Sequence, residues 1–209
     1  MMYASIEDLR SQLGPASAAD NPVYAEKMLH ALPEAQTVDR VAFILKHCTG
    51  KRVLEFGASG PMTEKIRDVA AEYLGVDRTA SMGVLGYDLD ATDALHSALP
   101  YYGPSEIRTP DVIVCGEVLE HLGNPLHFLE RLRRQYTGVP LIVTVPNAFS
   151  AAARDWLAKG FENVNKDHVA WYSPKTISVL LERAGYQVGA LYYYNGVGPT
   201  AEGLIVATE

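Results

Sequence analysis

Glu55 stands immediately before Phe56-Gly57-Ala58-Ser59-Gly60-Pro61. Two glycines there permit a tight turn and let a ligand approach the backbone closely. An acid just ahead of such a turn suits a ligand with a cationic amine better than one with phosphates. Asp77 follows twenty residues after Gly57, the spacing at which an acid can accept bonds from ribose hydroxyls. Asp88, with Leu89 beside it, could accept from an adenine amino group. Further on, Glu117-Val-Leu-Glu120-His121 places two carboxylates and an imidazole at i, i+3 and i+4, one face of a helical turn. That spacing can present ligands to one metal ion. Asp167-His168 closes a polar loop over 163–168. Imidazole titrates near neutral pH, so His121 and His168 are the acid–base candidates. His30, His47, His96 and His127 fall in expected helices and lack such surroundings. Phe149, Phe161, Trp171 and Tyr172 could wall a substrate pocket or pack on a sheet edge.

These groups are useful only if the elements bring them together. Residues 1–48 read as three helices, over 6–13, 23–32 and 37–47, interrupted by Gly14-Pro15 and Pro33. After Gly50 the pattern becomes strands alternating with helices. Short apolar runs predict buried strands over 52–56, 73–77, 84–88, 110–115 and 140–145. Helices are expected over 63–72, after Asn124-Pro125, and after Ser173-Pro174 with Gly185 as its stop. Residues 186–194 and 203–208 read as a terminal hairpin, and Tyr192-Tyr193-Tyr194 should put at least one ring inside and at least one outside. Such alternation implies parallel strands with helices on both faces, and a ligand site beyond the carboxyl ends of the strands. The segment 148–172, after the fifth strand, is placed to act as a lid. With residues 1–48 it is expected to cover the acceptor side.

Glu55-x-Gly57-Ala58-Ser59-Gly60, Gly75-Val-Asp77, Asp88-Leu89 and Asp111-Val-Ile-Val-Cys-Gly116-Glu117-Val-Leu-Glu120-His121-Leu resemble the class I S-adenosylmethionine-dependent methyltransferases. The resemblance covers about residues 40–209. It implies an α/β, Rossmann-like, seven-stranded sheet, mostly parallel with an antiparallel last strand and helices on both faces. It also implies that Glu55 and the Gly57, Ala58, Ser59 and Gly60 turn hold the methionine part of S-adenosylmethionine. Asp77 would hold the ribose, Asp88 and Leu89 the adenine, and Gly116 and Glu117 the opposite side. The first loop departs from the family's usual glycine pattern at Ser59 and Pro61. Glu-x-x-Glu-His with a later Asp-His also resembles the small-RNA 2′-O-methyltransferases, which hold Mg²⁺ with such residues. Here that set would be Glu117, Glu120, His121 and His168. The preferred reading has no metal, with His168 and His121 as the catalytic pair.

Composition bounds these readings. The 209 residues carry 18 Lys+Arg against 25 Asp+Glu, a net charge of −7, with 48% hydrophobic and 21% charged residues. That balance excludes a disordered chain, a collagenous fibre and a coiled coil. It also counts against a nucleic-acid substrate, whose phosphates call for Lys and Arg. Cys48 and Cys115 make neither a disulfide framework nor a Cys-rich zinc site. No secretory signal or membrane span is evident, so a cytoplasmic protein is expected. The chain reads as a single methyltransferase domain over 1–209, with a helical cap over 1–48 and a Rossmann-like core over 49–209. The expected reaction is O-methylation of a small-molecule hydroxyl, on a sugar or other biosynthetic intermediate. The rivals are a metal-assisted 2′-O-methyltransferase of RNA type, an NAD-dependent oxidoreductase, and a non-catalytic S-adenosylmethionine-binding module. Ser59 at the second glycine position of G-x-G-x-x-G disfavours the oxidoreductase.

Overall fold

A computed structural model describes residues 30–81, 83–90 and 109–209. All elements named below lie within the unit Glu34–Glu209. Eight strands form one sheet: β1 Thr37–Val38, β2 Arg52–Phe56, β3 Glu72–Asp77, β4 Val84–Gly86, β5 Val112–Gly116, β6 Leu141–Pro146, β7 Val188–Tyr194 and β8 Gly203–Thr208. Their order is β1-β7-β8-β6-β5-β2-β3-β4. Only β8 runs against its neighbours, pairing antiparallel with β6 and β7. All seven expected strands are present, the last two as the terminal hairpin, and β1 adds an eighth at the edge.

Strand alternation divides the core in two. Leu54, Phe56, Ile113 and Cys115 point to one face, covered by α3 (Pro125–Gln135) and α5 (Pro174–Arg183). Val53, Val112 and Val114 point to the other, covered by α1 (Arg40–Cys48) and α2 (Pro61–Val69). A short helix, α4, spans Ala151–Leu157. The caps follow local chemistry. Asn124 accepts from the backbone N–H of His127, and Ser173 forms a capping box with Thr176. Pro125 and Pro174 occupy first-turn positions, where a missing N–H is harmless. Among the described residues, no helix is long and apolar enough to cross a membrane.

Three expectations need correction, and others lie outside the described residues. Thr37 and Val38 are not helical: they pair with Tyr193 and Tyr194 as an edge strand, and Asp39 caps α1 by accepting from Ala42. The helix expected over 63–72 starts at Pro61 and stops at Val69, because Glu72 opens β3. None of the three tyrosines is exposed: Tyr193 and Tyr194 are buried and Tyr192 is half-buried, since helices cover both faces of β7 and β1 covers its edge. The helix expected over 6–13 lies outside the described residues, as does His96. So does the helix over 23–32, apart from residues 30–32, which carry no regular structure.

Candidate active site

From β2 the chain steps outward through β3 and β4, then returns to β5 on the other side of β2. The strand order reverses there, and a crevice opens at the carboxyl ends of these strands. Gly57 begins the first loop at φ +78. A Cβ at this position would lie 2.4 Å from Val118 Cγ2 and 2.8 Å from the Gly116 carbonyl oxygen, so only glycine lets the two loops meet. Gly60 caps α2 and Pro61 is its first residue. The two departures from a glycine-rich loop therefore have a local use: Pro61 starts the helix and Ser59 stays exposed.

A cavity of about 420 Å³ occupies the crevice. Glu55, Gly57, Ser59, Asp77, Asp88, Leu89, Gly116, Glu117 and His121 all line it. Ala58 and Gly60 do not. Ala58 is buried beneath the loop, against the space above Gly75, and Gly60 faces solvent at the helix start.

Glu55 is only 3% exposed. The Tyr73 hydroxyl donates to its carboxylate, and Thr63 Oγ1 donates from 3.4 Å. Burial outweighs those bonds and pushes its carboxyl up to about 7. Asp77 ends β3 and accepts from the Thr79 backbone N–H at 3.0 Å, while Asp88 accepts from that of Asp90 at 3.0 Å.

Sequence reasoning missed several lining residues. Arg40, on the first turn of α1, lies 3.9 Å from Glu117 and over the Tyr194 ring. Asp90 accepts from Gly123 N–H at 2.9 Å and so ties the loop after β4 to the loop before α3. Its signal was the third position of Asp88-Leu-Asp90. Arg40 had none, because it precedes the strand–helix pattern.

Glu117, Glu120 and His121 do not share one helical face. Glu117 takes a positive φ of 55°, and one 3₁₀ turn, Leu119–His121, follows. Glu117 accepts from the Tyr194 hydroxyl at 2.8 Å. Glu120 turns inward and is 1% exposed, with no partner for either carboxylate oxygen among the described residues. Burial, and then Glu117, push its carboxyl up to about 8. His121 and His168 meet edge to face with ring centroids 4.6 Å apart. Ligand atoms of Glu120, His121 and His168 all lie within 4.8 Å of one another, and Glu117 is not in that group.

His121 Nδ1 is 3.2 Å from the Asp167 carbonyl oxygen. A carbonyl can only accept, so Nδ1 is the donor in this bond. Burial, and then the neighbouring His121, lower the pKa of His168 below the ordinary imidazole value. Trp171 and Tyr172 line a second cavity together with His168, whereas Phe149 and Phe161 face solvent.

Comparison with known proteins places this architecture. A methyltransferase domain model matches residues 24–191. No curated protein matches the chain in sequence. Solved structures share the fold at low identity. An S-adenosylmethionine-dependent methyltransferase from Mesorhizobium loti gives a TM-score of 0.54 at 14% identity, over 80% of this chain and 94% of that one. One from Archaeoglobus fulgidus gives 0.62 at 13% identity, over 81% and 90%. A small RNA methyltransferase gives 0.63 at 18% identity, over 87% of this chain but 27% of that one. The oxidoreductase reading is thereby set aside. With the strand order, the switch-point cavity and the domain match in agreement, the chain belongs to the class I S-adenosylmethionine-dependent methyltransferases.

Proposed function

We propose that the chain methylates a hydroxyl oxygen of a small-molecule acceptor such as a sugar or other biosynthetic intermediate, with His168 receiving the hydroxyl proton and His121 orienting it. The carrying observation is the imidazole pair at the margin of the cofactor cavity. His121 lines that cavity, His168 lines the neighbouring one, and the rings touch. A base at this boundary can face an acceptor oxygen placed between the two spaces. His168's lowered pKa keeps it neutral, and so able to take a proton, below the usual imidazole value of 6.5.

The cavity fits the cofactor the family implies. Its volume falls in the range of small-molecule sites, roughly 300–1,000 Å³. Its donor set matches an aminoacyl nucleoside: Glu55 for the amine, Arg40 for the carboxylate, Asp77 for the ribose hydroxyls, and Asp88 with Leu89 for the adenine. Apolar walls come from Ile44, Met62 and Leu122. When bound, S-adenosylmethionine supplies an electrophilic methyl group on a sulfonium. The protein's part is to align the acceptor, exclude water and receive the proton.

The test is His168→Ala. Turnover should fall roughly 10²–10⁴-fold with S-adenosylhomocysteine affinity unchanged, and the acid limb of the wild-type pH profile should lie below pH 6.5. In parallel, Asp77→Ala should weaken cofactor binding by roughly 1–3 kcal/mol, read by calorimetry.

One observation supports a second reading with a divalent cation, as in the RNA-type alternative: Glu120's unpartnered carboxylate faces two imidazoles. One oxygen and two nitrogen ligands suit Mn²⁺, Fe²⁺ or Zn²⁺ better than Mg²⁺, which prefers an all-oxygen shell. On this reading chelator abolishes turnover, a cation restores it, and Glu120→Gln is as damaging as His168→Ala.

A further inference from the structure

A second cavity, of about 190 Å³, lies on the far side of His168 from the cofactor space. Its walls come from four places: the turn after β6, α4, the loop 163–172 and the β7–β8 hairpin. Asn147 holds this frame together. Its Nδ2 donates to the Pro199 and Ala201 carbonyls at 2.9 Å each, and its Oδ1 accepts from the Phe149 N–H at 3.0 Å. The cavity is thus built on bonds that join two distant segments.

The chemistry of its lining is selective. Among the described residues, no Lys or Arg lines it, and Glu202 is the only carboxylate that does. Among the described residues, the side chains of Glu202 and Asn163 have no hydrogen-bond partner, so both are free to meet a ligand. Asn165 accepts from the Asp167 N–H through Oδ1, which leaves its amide NH₂ available. Trp171 contributes an indole that is 42% exposed. An aromatic ring beside amides and one carboxylate offers apolar contact to C–H faces and hydrogen bonds to hydroxyls. An anion would enter against Glu202 and against the chain's net charge of −7.

We infer that this cavity is the acceptor subsite, and that it takes an uncharged or amine-bearing hydroxylated ring of pyranose size while rejecting phosphorylated or carboxylated acceptors. Asn163, Trp171 and Glu202 set that specificity, and His168 marks the end at which the reacting hydroxyl lies. The inference rests on the methyl-transfer reading of the histidine pair and adds the class of substrate.

The chain has two tryptophans, so Trp156→Phe leaves Trp171 as the sole indole reporter. With S-adenosylhomocysteine present, methyl α-glucopyranoside and glucosamine should change its fluorescence saturably at millimolar concentration. Glucose 6-phosphate should bind at least tenfold more weakly. Glu202→Lys in the same background should reverse that order, and Asn163→Ala should weaken the two favoured ligands. No saturable response to either favoured ring overturns the proposal, as does glucose 6-phosphate binding as well as they do in the Glu202 protein. The titration needs no turnover. If the ring ligands bind as expected but His168→Ala keeps full methyl-transfer activity, the histidine reading fails and the ligand class stands. If His168→Ala is inactive and the rings do not bind, the subsite fails and the histidine reading stands.

Discussion

Glu55 is a buried side chain whose ionisation is coupled to folding. Its carboxyl ordinarily ionises near 4.5 and is pushed up to about 7 in the folded chain. Between those values the unfolded chain gives up a proton that the folded chain keeps, so stability falls as pH rises from about 4.5 to 7. At about 1.4 kcal/mol per unit, the loss is of order 3 kcal/mol. Glu55→Gln should make the slope shallower by Glu55's share and leave that of Glu120, whose carboxyl is pushed up to about 8, measured as unfolding midpoints from pH 5 to 8. A cationic amine in the cavity favours the ionised form, so S-adenosylhomocysteine affinity should rise with pH through 7 in the native protein. In Glu55→Gln calorimetry should find it flatter.

The loops and turns between elements carry a different kind of constraint. Gly57 and Gly60 share a positive φ, of 78° and 76°, yet their surroundings differ. A Cβ at Gly57 would collide with Val118 and the Gly116 carbonyl, whereas one at Gly60 would meet nothing within 4 Å. Gly57→Ala should cost roughly 2–4 kcal/mol and weaken cofactor binding, because strain and overpacking add. Gly60→Ala should cost roughly 1–3 kcal/mol, from backbone strain alone, because its φ of 76° and ψ of −165° suit only glycine. Chemical denaturation of the two variants separates the terms. Asn147, 3% exposed, is the corresponding tie on the acceptor side. Asn147→Ala leaves the buried Ala201 carbonyl and the half-buried Pro199 carbonyl short of a donor and should cost roughly 1–3 kcal/mol, with a matching fall in the thermal midpoint.

At the scale of the molecule, every described residue that lines the cofactor cavity lies between Arg40 and Leu122, within the unit Glu34–Glu209. We propose that a chain beginning at Glu34 folds in one cooperative transition and binds S-adenosylhomocysteine with affinity within about threefold of the full chain, less than 1 kcal/mol. Residues 1–48 were expected to shape the acceptor side, so the same chain should lose acceptor turnover while keeping cofactor affinity. Unchanged turnover would move the acceptor wall wholly to the segment after β6.

Strand periodicity, glycine turns and Asn-Pro or Ser-Pro helix starts act within a turn or two of chain, so the sequence alone determined seven strands, their order of appearance and the acids at their ends. Glu55, Asp77 and Asp88 were legible because the carboxyl end of a parallel strand is a predictable place. What depended on long-range packing was not. Thr37–Val38 is too short to show a period and exists as a strand only because β7 offers an edge. Arg40 and Tyr194 reach Glu117 from opposite ends of the chain. The i, i+3, i+4 spacing of Glu117, Glu120 and His121 suggested one shared face. Tertiary structure instead split the three, because a positive φ at Glu117 and a tight 3₁₀ turn aimed Glu120 into the core beside His168. The second cavity arises only where the turn after β6 meets the terminal hairpin through Asn147, a meeting of segments some fifty residues apart that no local pattern encodes.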